Sequence, residues 1–201
     1  VMPDEILKGA ITADKTLDAS KAYFMTEQVF VRNGAELTIP AGTTIKSFRA
    51  DPKRAAPTLV IEQGAKITAK GTASKPITFT SSLPASQLPV SGAWGGVIVL
   101  GKATIAGGPT DSIEGLPTGD GIYGGSDDAD NSGTMQYVRI WYGGSVIGQN
   151  NEINGLTLGG VGSGTTLDHI EIAHNLDDGI EFFGGAARVK YLSVLFCGDD
   201  G

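Results

Sequence analysis

The clearest pattern of apolar and polar positions lies between residues 150 and 201, where short alternating segments are separated by turns rich in Asn, Asp and Gly. The segment Ile170-Glu171-Ile172 recurs as Leu192-Ser193-Val194, and the corner Asp177-Asp178-Gly179 recurs as Asp199-Asp200-Gly201, both at an offset of 22 residues. An offset shared by a strand and its corner is typical of one coil of a solenoid. The pattern therefore predicts a parallel β-solenoid in which the two Asp-Asp-Gly corners stack.

The same type of repeat begins near Val29 and runs through the rest of the chain. Asn33-Gly34-Ala35 followed by Leu37-Thr38 returns 30 residues later as Gln63-Gly64-Ala65 followed by Ile67-Thr68. Apolar positions alternate with Thr, Glu, Lys and Ser, unlike the continuous apolar strands of an α/β sheet. We expect a cap at residues 1–28, a solenoid over residues 29–201 that continues beyond residue 201, a third coil formed by residues 94–100 and 103–105, and insertions at about 47–57, 81–93 and 107–133.

Composition supports an all-β fold and narrows the partners. The chain has 30 glycines among 201 residues, which fits many tight corners and little helix. Its net charge is −7, and its Lys and Arg residues form no basic stripe, which argues against nucleic acid and anionic membrane as partners and favours cations. No apolar run reaches the length of a transmembrane segment. The single Cys197 lies in an apolar run, and we expect it to be a small buried residue.

Several motifs resemble the right-handed parallel β-helix proteins of bacterial outer surfaces, many of which are lipoproteins. These motifs occupy residues 33–46, 94–103, 123–133 and 150–172. The resemblance implies a single-stranded right-handed parallel β-helix that is secreted or held on the outer cell surface. Because the sequence begins at Val1 without an apolar leader, we expect that the segment that would target the chain is missing from it.

Two groups of acids are candidate calcium ligands. Stacking would bring Asp177 and Asp178 to about 4.8 Å from Asp199 and Asp200. At this distance the four acids could be solvated corner residues, Ca²⁺ ligands or catalytic carboxylates. The second group is Asp127, Asp128 and Asp130, in a loop that matches the first half of a calcium loop. Arg139 stands where an EF-hand would have its last glutamate, so this loop is either a different type of calcium site or an acidic surface turn.

Three functions remain open at this stage. We expect a structural or adhesive module, stabilised by Ca²⁺, that assembles end to end with itself or binds surface glycans. An enzyme acting on acidic polysaccharides would use Asp177, Asp178, His169 and Arg188, although the Gly-His-Gly element of polygalacturonase-type sites is missing. A glycan-binding module without catalysis would use an exposed platform of Trp94, Tyr123 and Trp141. Strand alternation predicts that at least one of Trp141 and Tyr142 lies in the core.

Overall fold

The structure is a computed structural model that describes residues 2–49, 51, 53–148 and 151–200. These residues form β-strands joined by turns, with one short 3-10 turn at Ala85–Gln87. No helix among them is long and apolar enough to span a bilayer. The strands are β1 (Glu5–Ile11), β2 (Lys15–Thr16), β3 (Tyr23–Val31), β4 (Glu36–Pro40), β5 (Thr44–Ser47), β6 (Leu59–Ile61), β7 (Lys66–Lys70), β8 (Ile77–Ser81), β9 (Val97–Leu100), β10 (Asp111–Ser112), β11 (Ile122–Tyr123), β12 (Gly133–Trp141), β13 (Val146–Gly148), β14 (Asn151–Glu152), β15 (Leu156–Gly159), β16 (Thr166–Ala173), β17 (Ile180–Phe183) and β18 (Val189–Leu195).

The chain winds as a right-handed parallel β-helix, as predicted, and its strands form three faces. Face 1 contains the first halves of β1 and β3, then β5 and β8, and the second halves of β12, β16 and β18. Face 2 contains the second halves of β1 and β3, then β6, β9, β15 and β17. Face 3 contains β2, β4 and β7, and the first halves of β12, β16 and β18.

The register confirms the repeat seen in the sequence. Ile170 pairs with Leu192 and Ile172 with Val194, so the offset of 22 residues is one coil. Leu37 pairs with Ile67, so the offset of 30 is also one coil, lengthened by a loop. Strand β1 already pairs in parallel with β3, so coiling begins within residues 1–28.

The third coil differs from the prediction. Strand β9 lies between β6 and β15 on face 2, but residues 103–105 do not form the next strand of that coil. The chain leaves the solenoid after β9 and returns to face 3 at Gly133. The prediction was wrong because a short apolar segment resembles a strand by pattern alone, whether it continues the coil or enters a loop.

Trp94 belongs to the core and not to an exposed platform, which corrects the prediction for this residue. Its side chain is fully buried and stacks on Phe79 with ring centres 6.4 Å apart. The indole Nε1 donates to the carbonyl oxygen of Trp141 at 2.7 Å. The two glycines that follow Trp94 let the chain turn closely here, since a Cβ at Gly96 would collide with the carbonyl oxygen of Asn154.

A second apolar layer lies outside face 2. The outward row Phe30, Val60 and Ile98 packs with Ile113 and Tyr123 of the 107–133 insertion. Two interactions join the insertion to an early coil. Gln28 Nε2 donates a hydrogen bond to the carbonyl oxygen of Gly115, and the Arg32 guanidinium forms an ion pair with Asp120 Oδ1 at 3.4 Å. Face 2 is therefore buried on both sides along these coils, which explains the continuous apolar sequence of β9.

Two stacks of aromatic rings line the corners on either side of face 1. Tyr137, His169 and Tyr191 form one stack with ring centres 4.2 and 4.4 Å apart. Tyr142, His174 and Phe196 form the other with separations of 5.6 and 4.9 Å. All six residues have φ between 50° and 68°, which is the left-handed region that L-residues enter at a cost.

Candidate functional site

An acidic cleft opens where the apolar cover of face 2 ends. Along the outward row of this face, Ile98 is followed by Thr157 and then by Glu181, each paired in register with the one before. The row thus changes from apolar to polar in the last coils. The cleft has a volume of about 570 Å³ and is lined by Asp111, Ser112, Ile113, Glu114, Tyr123, Asn154, Thr157, Asp177, Asp178, Glu181, Phe183 and Asp199.

The stacked Asp corners form one side of this cleft. Asp177 and Asp178 lie in the corner between β16 and β17, and Asp199 lies in the same corner one coil later. The corners are fastened by hydrogen bonds from the Gly179 N–H to the Asp200 carbonyl oxygen at 3.0 Å and from the Asp200 N–H to Asp178 Oδ1 at 2.8 Å. Carboxylate oxygens of Asp177, Asp178 and Asp199 all lie within 4.8 Å of one another. Among the described residues, no other three acids, histidines or cysteines come this close together.

Burial and like charge raise the pKa of two carboxyls in the cleft. The pKa of Asp177 is raised by burial first and then by the neighbouring Asp178 and Asp199. The pKa of Glu181 is raised by burial, with a smaller contribution from Asp178 and Asp177 that a hydrogen bond from Asn154 opposes. No Lys or Arg is among the described residues that line the cleft. The cleft therefore favours bound protons or cations over free carboxylates.

Asn154 and two aromatic rings complete the cleft. Asn154 is 3% exposed, and its Nδ2 donates to Glu181 Oε2 while its Oδ1 has no hydrogen-bond partner. The rings of Tyr123 and Phe183 lie 6.0 Å apart. Burial raises the pKa of Tyr123, and the charges of Asp111 and Glu181 add to the shift.

Comparison with known families agrees with this architecture. A family model described as the pectate-lyase-like β-helix domain matches residues 9–201. The chain belongs to this family. No curated protein and no solved structure gives a significant match.

Sequence analysis of this pectate-lyase-like domain missed Glu181 and Asn154 as site residues. The signal for Glu181 is its place as the outward residue of β17, three positions after the Asp-Asp corner. Asn154 carries no comparable signal, because its position depends on how the chain returns to face 2. Asp111 and Glu114 lie in the 107–133 insertion, where no repeat in the sequence predicts their positions.

The second predicted calcium group has a different local role. Asp128 Oδ1 accepts from the Thr104 N–H at 2.9 Å, Asp130 Oδ2 from the Lys102 N–H at 3.1 Å, and Asp127 Oδ1 from the Ala129 N–H at 3.1 Å. The hydrogen bond from Thr104 lowers the pKa of Asp128. The carboxylates of Asp128 and Asp130 hold the returning insertion against the segment that leaves β9, and that of Asp127 stabilises the turn of the loop itself. Calcium binding in this loop stays a prediction.

The four residues of the predicted catalytic set do not line one cleft. Asp177 and Asp178 line the acidic cleft, whereas His169 lines a pocket of about 170 Å³ beside face 1, together with Arg139 and Glu171. Arg188 is exposed just before β18 and lines neither of these two. The set is separated because His169 precedes the face 1 part of β16, whereas Asp178 lies beyond its other end, in the corner between β16 and β17.

The predicted aromatic platform is also divided. Tyr123 is buried against the acidic cleft. Trp141 lies on face 1, where its Nε1 donates to Glu171 Oε1 at 2.8 Å and the Arg139 guanidinium lies 5.3 Å from its ring centre. Trp141 and Tyr142 are both half-buried, so the expectation that one of them is core was wrong. The left-handed conformation of Tyr142 interrupts the alternation on which it rested.

Proposed function

We propose that the protein is an extracellular structural and adhesive module in which Ca²⁺ binds Asp177, Asp178 and Asp199. The observation that carries this proposal is the convergence of these three carboxylates from two successive coils within 4.8 Å. Two unit charges about 5 Å apart repel by about 3 kcal/mol at an effective dielectric constant near 20. Ca²⁺ prefers clustered hard oxygens and tolerates irregular geometry, so it would relieve this repulsion while joining two coils.

The adhesive role follows from the charge of the cleft. Every charged residue among those lining it is acidic, so an acidic glycan could approach only through a bridging cation. A calcium ion held by three carboxylates retains coordination positions for a ligand outside the chain. An extracellular location fits the pectate-lyase-like family. It also fits a weak Ca²⁺ site, since the Ca²⁺ sites of extracellular modules have Kd values of about 10⁻⁴ to 10⁻³ M.

Calcium titration of Asp178→Asn tests the proposal. Asparagine keeps an oxygen for the Asp200 N–H but removes the charge. At 100 times its Kd, Ca²⁺ should stabilise the wild-type chain by about 2.7 kcal/mol, an increase in Tm of about 5–10 °C for a chain of this size. The increase should be largely lost in Asp178→Asn and kept in Glu36→Gln, which removes an acid from β4 outside the cleft.

Asp128→Asn separates the two predicted calcium sites. It should keep the full calcium response if the ion binds at the stacked corners, and lose it if the ion binds in the 127–130 loop. Sedimentation with calcium and with chelator in the same series tests end-to-end assembly. An unchanged Tm of the wild-type chain at about 100 mM Ca²⁺, which is 100 times the weakest Kd expected for the site, would contradict the proposal.

A further inference from the structure

A second pocket lies beside face 1, apart from the acidic cleft on face 2. Its volume is about 170 Å³, below the roughly 300–1,000 Å³ of pockets that hold drug-sized ligands. Among the described residues that line it, Arg139 supplies a positive charge and Glu171 a negative charge. The two residues are paired in register on β12 and β16, so they lie on adjacent strands about 4.8 Å apart. The pocket therefore suits a small ligand that carries both charges close together.

The ion pair between Arg139 and Glu171 leaves both groups available to such a ligand. Arg139 Nε and Glu171 Oε2 lie 3.8 Å apart, which is longer than a hydrogen bond, and the two side chains are 39% and 35% exposed. Ion pairs as exposed as this contribute little to stability, so a ligand replaces the contact at small cost. A guanidinium presents a planar fork of N–H donors that matches a carboxylate, and a carboxylate oxygen accepts from an ammonium group.

Trp141 holds the two charges in position. Its Nε1 donates to Glu171 Oε1 at 2.8 Å, and the Arg139 guanidinium lies 5.3 Å from its ring centre. Oε1 of Glu171 is thus fixed, while Oε2 is the oxygen on the side of Arg139. Side chains that are already ordered lose less conformational entropy when a ligand binds. The two charges are therefore arranged for binding before a ligand arrives.

Stacked rings form one wall of the pocket. Tyr137, His169 and Tyr191 line it, with ring centres 4.2 and 4.4 Å apart along the stack. All three residues have φ of 50° or 51°, and residues held in this region are concentrated at ligand sites. Ser193 adds a hydroxyl group. This wall can receive a short side chain beside the two charges.

From these observations we propose that the pocket binds a free α-amino acid as its zwitterion. The carboxylate of the ligand accepts from Arg139, its ammonium group donates to Glu171 Oε2, and its side chain packs against the ring wall. Carboxylate and ammonium groups on one carbon are close enough for side chains on adjacent strands to bind both. The pocket shares no residue with the calcium site, so this inference is independent of the proposed function.

NMR titration of the wild-type chain with alanine tests the proposal, near neutral pH and in the presence of chelator. The chain has two tryptophans, and the indole signal that disappears in Trp141→Phe reports on Glu171, to which Trp141 donates. Alanine should shift this signal in a saturable manner. Propionate lacks the ammonium group and ethylamine lacks the carboxylate. Each should bind at least about tenfold more weakly than alanine, because one charge-assisted contact is lost.

Three variants locate the binding. Arg139→Gln removes the guanidinium, and Glu171→Gln removes the negative charge while keeping an oxygen for Trp141. Each should weaken alanine binding at least about tenfold. Arg188→Gln changes an exposed arginine that does not line the pocket, and should leave alanine binding unchanged. The dispersion of each spectrum shows whether the variant folds, and the comparison of the three ligands on the wild-type chain does not depend on the variants.

Three results would overturn the proposal: no saturable shift with alanine, equal affinity for alanine and either of its two analogues, or equal affinity of Arg139→Gln and Arg188→Gln for alanine. Calcium is excluded from every sample. Failure of this proposal is therefore distinguishable from failure of the calcium site.

Discussion

Glu181 shows how one residue can serve a site at the expense of stability. It lies on the outer side of face 2, accepts a hydrogen bond from Asn154, and shares the cleft with Asp177, Asp178, Asp111 and the Tyr123 ring. Burial raises its pKa, and Asp178 and Asp177 add to the shift. The folded protein therefore holds a proton on Glu181 more tightly than the unfolded chain does.

The sign of this shift predicts a pH-dependent gain in stability for Glu181→Gln. The contribution of Glu181 to stability is fully present below its ordinary pKa of 4.5 and is lost as pH rises through the raised value in the folded state. Glutamine does not titrate, so the variant should match the wild type near pH 4. At pH 7 and without calcium, the variant should have a higher Tm than the wild type, because it carries no charge where burial and the neighbouring acids oppose one. Thermal melts at both pH values measure the difference, and a lower Tm of Glu181→Gln at pH 7 would contradict the prediction.

At the level of single residues, the sequence predicted which acidic side chains come together, but not which tryptophan side chains are buried. The stacking of the Asp corners followed from the offset alone and is confirmed by the geometry. The burial of Trp94 and the half-burial of Trp141 did not follow, because both depend on local backbone conformation. Strand alternation assumes extended backbone on both sides of a residue, and left-handed corners such as Tyr142 interrupt it.

The aromatic stacks are the elements that fix the corners of face 1. His169 lies between Tyr137 and Tyr191, and His174 lies between Tyr142 and Phe196, so neighbouring rings cover both ring faces of each histidine. Covered ring faces cannot pack against a sugar. We infer that the stacks compensate for the left-handed backbone at each corner by ring packing between coils.

A double-mutant cycle across one stack tests this inference. Tyr137→Asn and His169→Asn keep a residue type that tolerates the left-handed region, so the change in stability should report ring packing more than backbone strain. Urea unfolding should give a coupling energy of about 0.5–1.5 kcal/mol between the two sites. The control pair, Tyr137→Asn with Phe196→Asn, belongs to different stacks and should be additive. Additivity in both pairs would mean that the rings do not stabilise each other.

At the level of strands, repetition decided how much could be predicted. The register of the closely repeating coils could be predicted from the sequence, whereas residues 107–133 could be predicted only as an insertion. Its role as a cover depends on a few apolar residues, mainly Ile113, Leu116 and Tyr123, that are scattered among Gly, Asp and Pro. No periodicity links them to Phe30 or Val60, because the contact joins an irregular segment to strands from three coils.

For the molecule as a whole, face 2 links stability to function. Its inner side belongs to the core of the β-helix, and its outer side is covered by the insertion as far as Ile98. Beyond that point the outer row turns polar and the acidic cleft begins. The insertion thus closes an apolar surface and forms one wall of the candidate site, so damage to its apolar side should affect both.

Hydrogen exchange of Ile113→Ser tests this dependence. Ile113 is 9% exposed and packs in the outer layer with Val60 and Ile98; its replacement should cost about 2–4 kcal/mol of local stability, as for other large-to-small changes in a packed layer. If the outer layer opens as a separate unit, amide exchange should accelerate in Val97–Leu100 on face 2 and stay unchanged in Lys66–Lys70 on face 3. The same variant should weaken ligand binding in the cleft, because Asp111 and Glu114 lose their fixed positions. Equal acceleration on both faces would instead show that the insertion and the β-helix unfold as one cooperative unit.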